Sequence, residues 1–193
     1  ALLFLSSTVA VLAQGRDILP PVPTPTDIAP GSITCDECPY PYSSKYLDIS
    51  VYSQDVRIAY MDVAPTVAPN GHTVMLLHGN NFGGFYFKPI IDGLTAVGFR
   101  VIVPDQIGYG KSSKPLVPYN FNSQARNTQL ILDAEQIDKV MAVGHSMGGM
   151  LAQALLLLRP HRFASFASVM SASGNRSNPS RDWAHPWVYA QLF

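Results

Sequence analysis

The stretch Lys139-Val140-Met141-Ala142-Val143-Gly144-His145-Ser146-Met147-Gly148-Gly149-Met150 decides how the chain folds. Its first half, Lys139 to Val143, is a short apolar run with β-branched valines and reads as a buried strand. From Met147 to Leu158 the pattern changes. Met147, Met150, Leu151, Ala154, Leu155 and Leu158 recur at three- and four-residue steps, which predicts a helix with one apolar face. Between the two lies Gly144-x-Ser146-x-Gly148, spaced as a nucleophile elbow: a tight turn that lifts a serine hydroxyl to the end of a sheet. Glycine on either side removes β-carbons that would collide with backbone as the turn tightens. The serine falls at a helix N-terminus, where free N–H groups and the helix dipole favour negative charge. A Gly/Ser turn without chemistry shares this spacing, but the strand before it and the helix after it favour the elbow.

Working outward, Thr73 to Leu77 is a continuous apolar run, as expected of a strand covered on both faces. It ends in the glycine-rich loop His78-Gly79-Asn80-Asn81-Phe82-Gly83-Gly84. A helix is predicted from Phe87 to Val97, stopping at Gly98. Arg100 to Val103 is another strand, ending at Pro104-Asp105 and the loop Gln106 to Ser112. A helix around Ser123 to Gln136 leads into the elbow strand, and Phe163 to Met170 reads as one more strand. Upstream, Tyr46 to Val51 and Val56 to Met61 alternate apolar and polar around Ser53-Gln54-Asp55, which predicts an antiparallel hairpin.

Strand and helix in alternation give an α/β class with a mostly parallel, doubly wound sheet preceded by that hairpin. The C-terminal ends of parallel strands share one edge, where ligands bind. His78-Gly79-Asn80, Asp105 and Ser146 all fall at such ends.

Composition agrees with this class. The 193 residues are 47% hydrophobic with zero formal net charge, enough for one domain with a sizeable core. A neutral balance points to no nucleic acid or acidic substrate, and 13% charged residues suit a buried parallel sheet.

Residues Ala1 to Ala13 form an apolar run with small residues at Val11 and Ala13, read as the remainder of a signal peptide of an exported protein. A membrane anchor is the competing reading, although the run is shorter than the ~18 residues of a span; no stable span is expected after cleavage. Residues 14–45 are proline-rich and read as an extended linker. They hold both cysteines, Cys35 and Cys38. A zinc site wants four ligands and no second pair exists, so no metal is assigned. No helix opens at the pair as a thioredoxin-type site would need, which leaves a disulfide, local or between chains. Residues 46–193 are the folded domain.

His78-Gly79 after one strand, Asp105-x-x-Gly108-x-Gly110-x-Ser112 after the next, and Gly144-His145-Ser146-Met147-Gly148 together resemble the α/β-hydrolases. The resemblance covers about Tyr46 to Phe166. It is nearest to the branch that holds haloalkane dehalogenases and epoxide hydrolases. Those use an aspartate nucleophile, so Ser146 makes this chain look like the serine esterase members. The resemblance implies acyl transfer without a cofactor on a small-molecule acyl substrate: Ser146 Oγ attacks an ester-like carbonyl, and the backbone N–H groups of Asn80 and Met147 meet the oxyanion. It implies that His78, Gly79 and Asp105 anchor loops, that Gly144 and Gly148 shape the elbow, and that His145 packs.

In the family the acid and the histidine base follow the nucleophile, on later strands. After Ser146 this sequence holds only Asp182, His161 and His185. His161 sits where the elbow helix ends, and His185 comes too early in the chain. The resemblance therefore implies a domain incomplete at its C-terminus, cut after the sixth strand and inactive alone. The stretch Asn175 to Phe193, with its Asn175-Arg176-Ser177 sequon, has no periodicity and reads either as the start of a lid or as a shifted reading frame. The alternatives are a hydrolase-like binding protein without catalysis, and a C–C bond hydrolase or acyltransferase using the same elbow.

Overall fold

A computed structural model describes residues 31–169. The expectations for Ala1 to Ala13, for the first part of the linker, for Asp182 and His185, and for Asn175 to Phe193 lie outside the described residues. In chain order the strands are β1 (Ser44–Val51), β2 (Gln54–Val63), β3 (Thr73–Leu77), β4 (Arg100–Pro104), β5 (Val140–His145) and β6 (Phe163–Val169). The helices are α1 (Lys88–Thr95), α2 (Phe121–Ala134) and α3 (Met147–Leu158). The sheet runs β1-β2-β4-β3-β5-β6. The pairs β1–β2 and β2–β4 are antiparallel, while β4–β3, β3–β5 and β5–β6 are parallel. This is the mostly parallel α/β sheet with an antiparallel N-terminal pair.

Side-chain alternation explains the continuous apolar runs. Val74 and Leu76 of β3, with Val101 and Val103 of β4, face one side and pack with Phe87 and Ile91 of the α1 segment. Met75, Leu77 and Ile102 face the other side. There, with Val140 and Ala142, they meet Ile131 and Leu132 of α2 and Leu151, Ala152 and Leu155 of α3. A strand covered on both faces needs apolar residues at every position.

Several boundaries move. The hairpin turn is Tyr52-Ser53, both at positive φ (48° and 61°), not Ser53 to Asp55. A two-residue turn of this hand matches the right-handed twist of paired strands and lengthens both by pairing Val51 with Gln54. The first predicted helix is a 3₁₀ turn at Gly84–Phe87 followed by α1, with Pro89 at its start. The second begins earlier, at Phe121, because the Asn120 side chain accepts from Ser123 N–H at 2.8 Å and caps it.

The linker was expected to run to residue 45, but from Gly31 onward the chain belongs to the same compact unit as the sheet. Cys35 and Cys38 form a local disulfide. Asp36 pairs with Arg57 at 2.6 Å, and Tyr42 hydrogen-bonds Asp92. Local proline content indicated extended backbone, but these partners are supplied by distant residues.

Candidate active site

The elbow forms where the sequence places it. Ser146 ends β5 and starts α3 with φ 54° and ψ −118°, a conformation costly for a residue with a β-carbon. It is held there from both sides. Ser146 N–H donates to Val169 O of β6 at 2.9 Å, and Ser146 O accepts from Gly149 N–H at 2.9 Å. The Ser146 hydroxyl does not cap the helix it starts.

The elbow glycines have steric reasons. A β-carbon on Gly144 would overlap the Gly148 carbonyl, and one on Gly148 would overlap Leu77 O and crowd His78 O. The first turn of α3 thus lies against the C-terminal end of β3, closer than any side chain allows.

That contact brings the His78-Gly79-Asn80 turn to the serine. A β-carbon on Gly79 would lie 3.2 Å from His145 Nδ1 and 3.4 Å from Ser146 Cβ. The Gly79 carbonyl accepts from His78 Nδ1–H at 2.8 Å and from Phe82 N–H at 3.3 Å. That carbonyl shares a planar trans peptide with Asn80 N–H, so fixing one aims the other the opposite way. Met147 is the first residue of α3, and amides of a first turn have no intrahelical acceptor. Tyr109 draws the two residues' side chains together. Its hydroxyl donates to Asn80 Oδ1 at 2.7 Å and approaches Met147 Sδ at 3.7 Å.

His78 and Asp105 are buried pegs under this edge. His78 is fully buried. Its Nε2 accepts from Gln106 N–H at 3.0 Å, which leaves the proton on Nδ1. Burial holds its pKa below the ordinary value of 6.5, against the opposing pull of the Gly79 carbonyl and Asp105. The Asp105 carboxylate accepts from Gly84 N–H (2.6 Å), Lys111 N–H (2.7 Å) and Tyr40 O–H (2.6 Å). It ties together the glycine-rich loop, the loop after β4 and the segment before β1. Ser112 closes the motif by donating to Asp105 O at 2.7 Å and accepting from Ala59 N–H at 2.8 Å.

Because His78 is held neutral in the fold and titrates near 6.5 when unfolded, the unfolded chain binds the extra proton first. Its contribution to stability is complete above that pH and is lost as pH falls below about 6.5. Thermal unfolding from pH 8 to pH 5 should show a loss approaching about one proton per molecule in slope. His78→Asn should be less stable at pH 8 and lack that component; an unchanged slope would show that His78 is not its source.

His161 is not brought to the site. It is exposed at the far end of α3 from Ser146, about 18 Å along a helix of twelve residues. The strand expected at Phe163 to Met170 forms as β6 over Phe163–Val169 and pairs in parallel along the elbow strand. Tyr40, Tyr86 and Tyr109 escaped the sequence reading. Nothing in their spacing distinguishes a tyrosine whose hydroxyl holds a loop from one that only packs.

A family model described as alpha/beta hydrolase fold matches residues 72–193. The chain is 32% identical, over 130 residues, to a haloalkane dehalogenase from Psychrobacter cryohalolentis, covering 66% of this chain and 40% of that protein. It is also 32% identical, over 140 residues, to a 2-hydroxy-6-oxononadienedioate/2-hydroxy-6-oxononatrienedioate hydrolase from Paraburkholderia xenovorans, covering 70% and 47%. Among solved structures, a probable hydrolytic enzyme from Pseudomonas aeruginosa PAO1 superposes with a TM-score of 0.71 at 38% identity, covering 74% of this chain and 46% of that one. The chain thus spans less than half the length of each of these proteins. The residues matched by the family model include the elbow and the loops that meet it, and the chain belongs to the α/β-hydrolase fold family.

Proposed function

We propose that this chain carries the nucleophile and oxyanion donors of a serine hydrolase that cleaves an ester-like acyl bond through an acyl-enzyme on Ser146. The observation that carries the reading is the strained backbone of Ser146, pinned by Val169 and Gly149 beside the turn that aims Asn80 N–H. A protein that only binds has no use for that strain. Serine also selects the reaction type. Its alkoxide, attacking a carbonyl, leaves an ester that water cleaves; attacking a saturated carbon bearing halide, it would leave a stable ether. Acyl transfer therefore suits this elbow better than dehalogenation. Backbone donors at Asn80 and Met147 would each stabilise the developing oxyanion by a few kcal/mol, about 3 kcal/mol for a well-placed donor.

The test is labelling of the full-length protein with a fluorophosphonate. Ser146 Oγ should displace fluoride and appear as the modified residue on peptide mapping. Catalytic turnover with a different serine labelled would sink the assignment. A second reading rests on the Paraburkholderia relative. A higher kcat/KM for 2-hydroxy-6-oxononadienedioate than for p-nitrophenyl acetate would favour it.

We also propose export. The Cys35–Cys38 disulfide supports an oxidising destination, and the apolar run before Gln14 supports a cleaved signal. The mature N-terminus should lie after Ala13; sequencing that finds residues upstream of Val11 on exported protein would refute this.

A further inference from the structure

We propose that Tyr86 is a positioning residue for the oxyanion turn, bolting it to the elbow through a hydroxyl that touches Gly79 N and His145 Nδ1. The inference rests on the acyl-transfer reading above. Tyr86 lies in the 3₁₀ turn that follows the glycine-rich loop. Its hydroxyl accepts from Gly79 N–H at 3.2 Å and lies 3.1 Å from His145 Nδ1. A phenol oxygen can accept from the Gly79 amide and still bond the imidazole, as donor or acceptor according to the His145 tautomer. One oxygen therefore joins the residue before Asn80 to the residue before Ser146. Donor and nucleophile are each one residue from the same fastener.

The bond acts where the turn is most compliant. Gly79 has no β-carbon, so its two dihedrals are the softest between β3 and the oxyanion donor. Its carbonyl is fixed by His78 and Phe82. Tyr86 holds the preceding peptide through the Gly79 amide, so the Gly79 Cα is clamped on both sides. Without Tyr86 the His78–Gly79 peptide would be free to pivot and would shift the Cα from which the Asn80 peptide hangs. The ring is itself fixed. Its centroid is 4.2 Å from Phe87, 5.0 Å from Phe82 and 5.8 Å from His145. Partial burial raises the phenol's pKa, which keeps the proton it shares.

The distinction from a merely structural contact is kinetic. An interaction that places an oxyanion donor acts on the transition state more than on bound substrate. The experiment compares wild type, Tyr86→Phe, His145→Ala and the double variant in the full-length protein, assayed with p-nitrophenyl butyrate and with phenylboronic acid, which forms a tetrahedral adduct on the serine. Phenylalanine keeps the ring and removes only the hydroxyl. Tyr86→Phe should lower kcat about 10-fold, less than the loss of a whole oxyanion donor. Its KM should stay within about 2-fold, and the boronate Ki should rise by the same factor as kcat falls. The double variant should be little worse than the worse single one, because both remove one linkage. The proposal is overturned if Tyr86→Phe leaves kcat and Ki unchanged, if it raises KM alone, or if the two substitutions multiply. Ser146→Ala in the same assay separates the two ideas. Turnover surviving Ser146→Ala removes the acyl-transfer reading itself, whereas a dead Ser146→Ala beside a normal Tyr86→Phe removes only the positioning role.

Discussion

Ser146→Ala in the full-length protein should lower kcat for an activated short-chain ester by about 10⁴- to 10⁶-fold, with no loss of fold. The hydroxyl is the only group the substitution removes, and it caps no helix. The alanine must still adopt φ 54°, but the serine already bears that cost, and Val169 and Gly149 hold the backbone in both proteins. Melting should therefore stay within a few degrees. With Asn80 and Met147 as the proposed oxyanion donors, roughly 10³–10⁴ over the uncatalysed rate should survive. A variant that kept wild-type turnover would place the nucleophile elsewhere.

Gly148→Ala should be among the most damaging single methyl additions in the described domain. Its β-carbon would overlap the Leu77 carbonyl, which is backbone and cannot rotate aside. Either α3 lifts off the end of β3 or β3 bends, and both displace Ser146 from the Gly79 turn. Overpacking typically costs 1–3 kcal/mol, and a backbone collision belongs at or above about 3 kcal/mol. That corresponds to a drop in melting temperature of roughly 10 °C for a domain of this size. Gly93→Ala is the matched control. It lies in α1 with nothing within 4 Å of the added carbon, so the same change should stabilise by up to about 1 kcal/mol. Equal effects at the two sites would show that the elbow is looser than the structure describes.

The elements that depend on short-range pattern are legible in the sequence. Short apolar runs at Thr73 to Leu77 and Arg100 to Val103, each bounded by loop residues, fit strands buried on both faces. The spacing Gly144-x-Ser146-x-Gly148 between a strand and a helix locates the strained serine. His78 and Asp105 mark the same sheet edge because both follow strands, and both are buried anchors there.

What the residues join across the chain had to come from the tertiary structure. The hairpin pairs with β4, which puts β4 beside β2 and β3 at the centre. Tyr40 reaches Asp105 across 65 residues from a stretch whose prolines suggested only a linker. Tyr86 reaches His145 across 59. Periodicity reports which face of an element is apolar, and turn chemistry reports where the backbone bends, because both are decided within a few neighbouring residues. A tyrosine hydroxyl bond is decided by whichever amide or carboxylate the packed sheet carries into its reach, and that partner has no fixed distance along the chain.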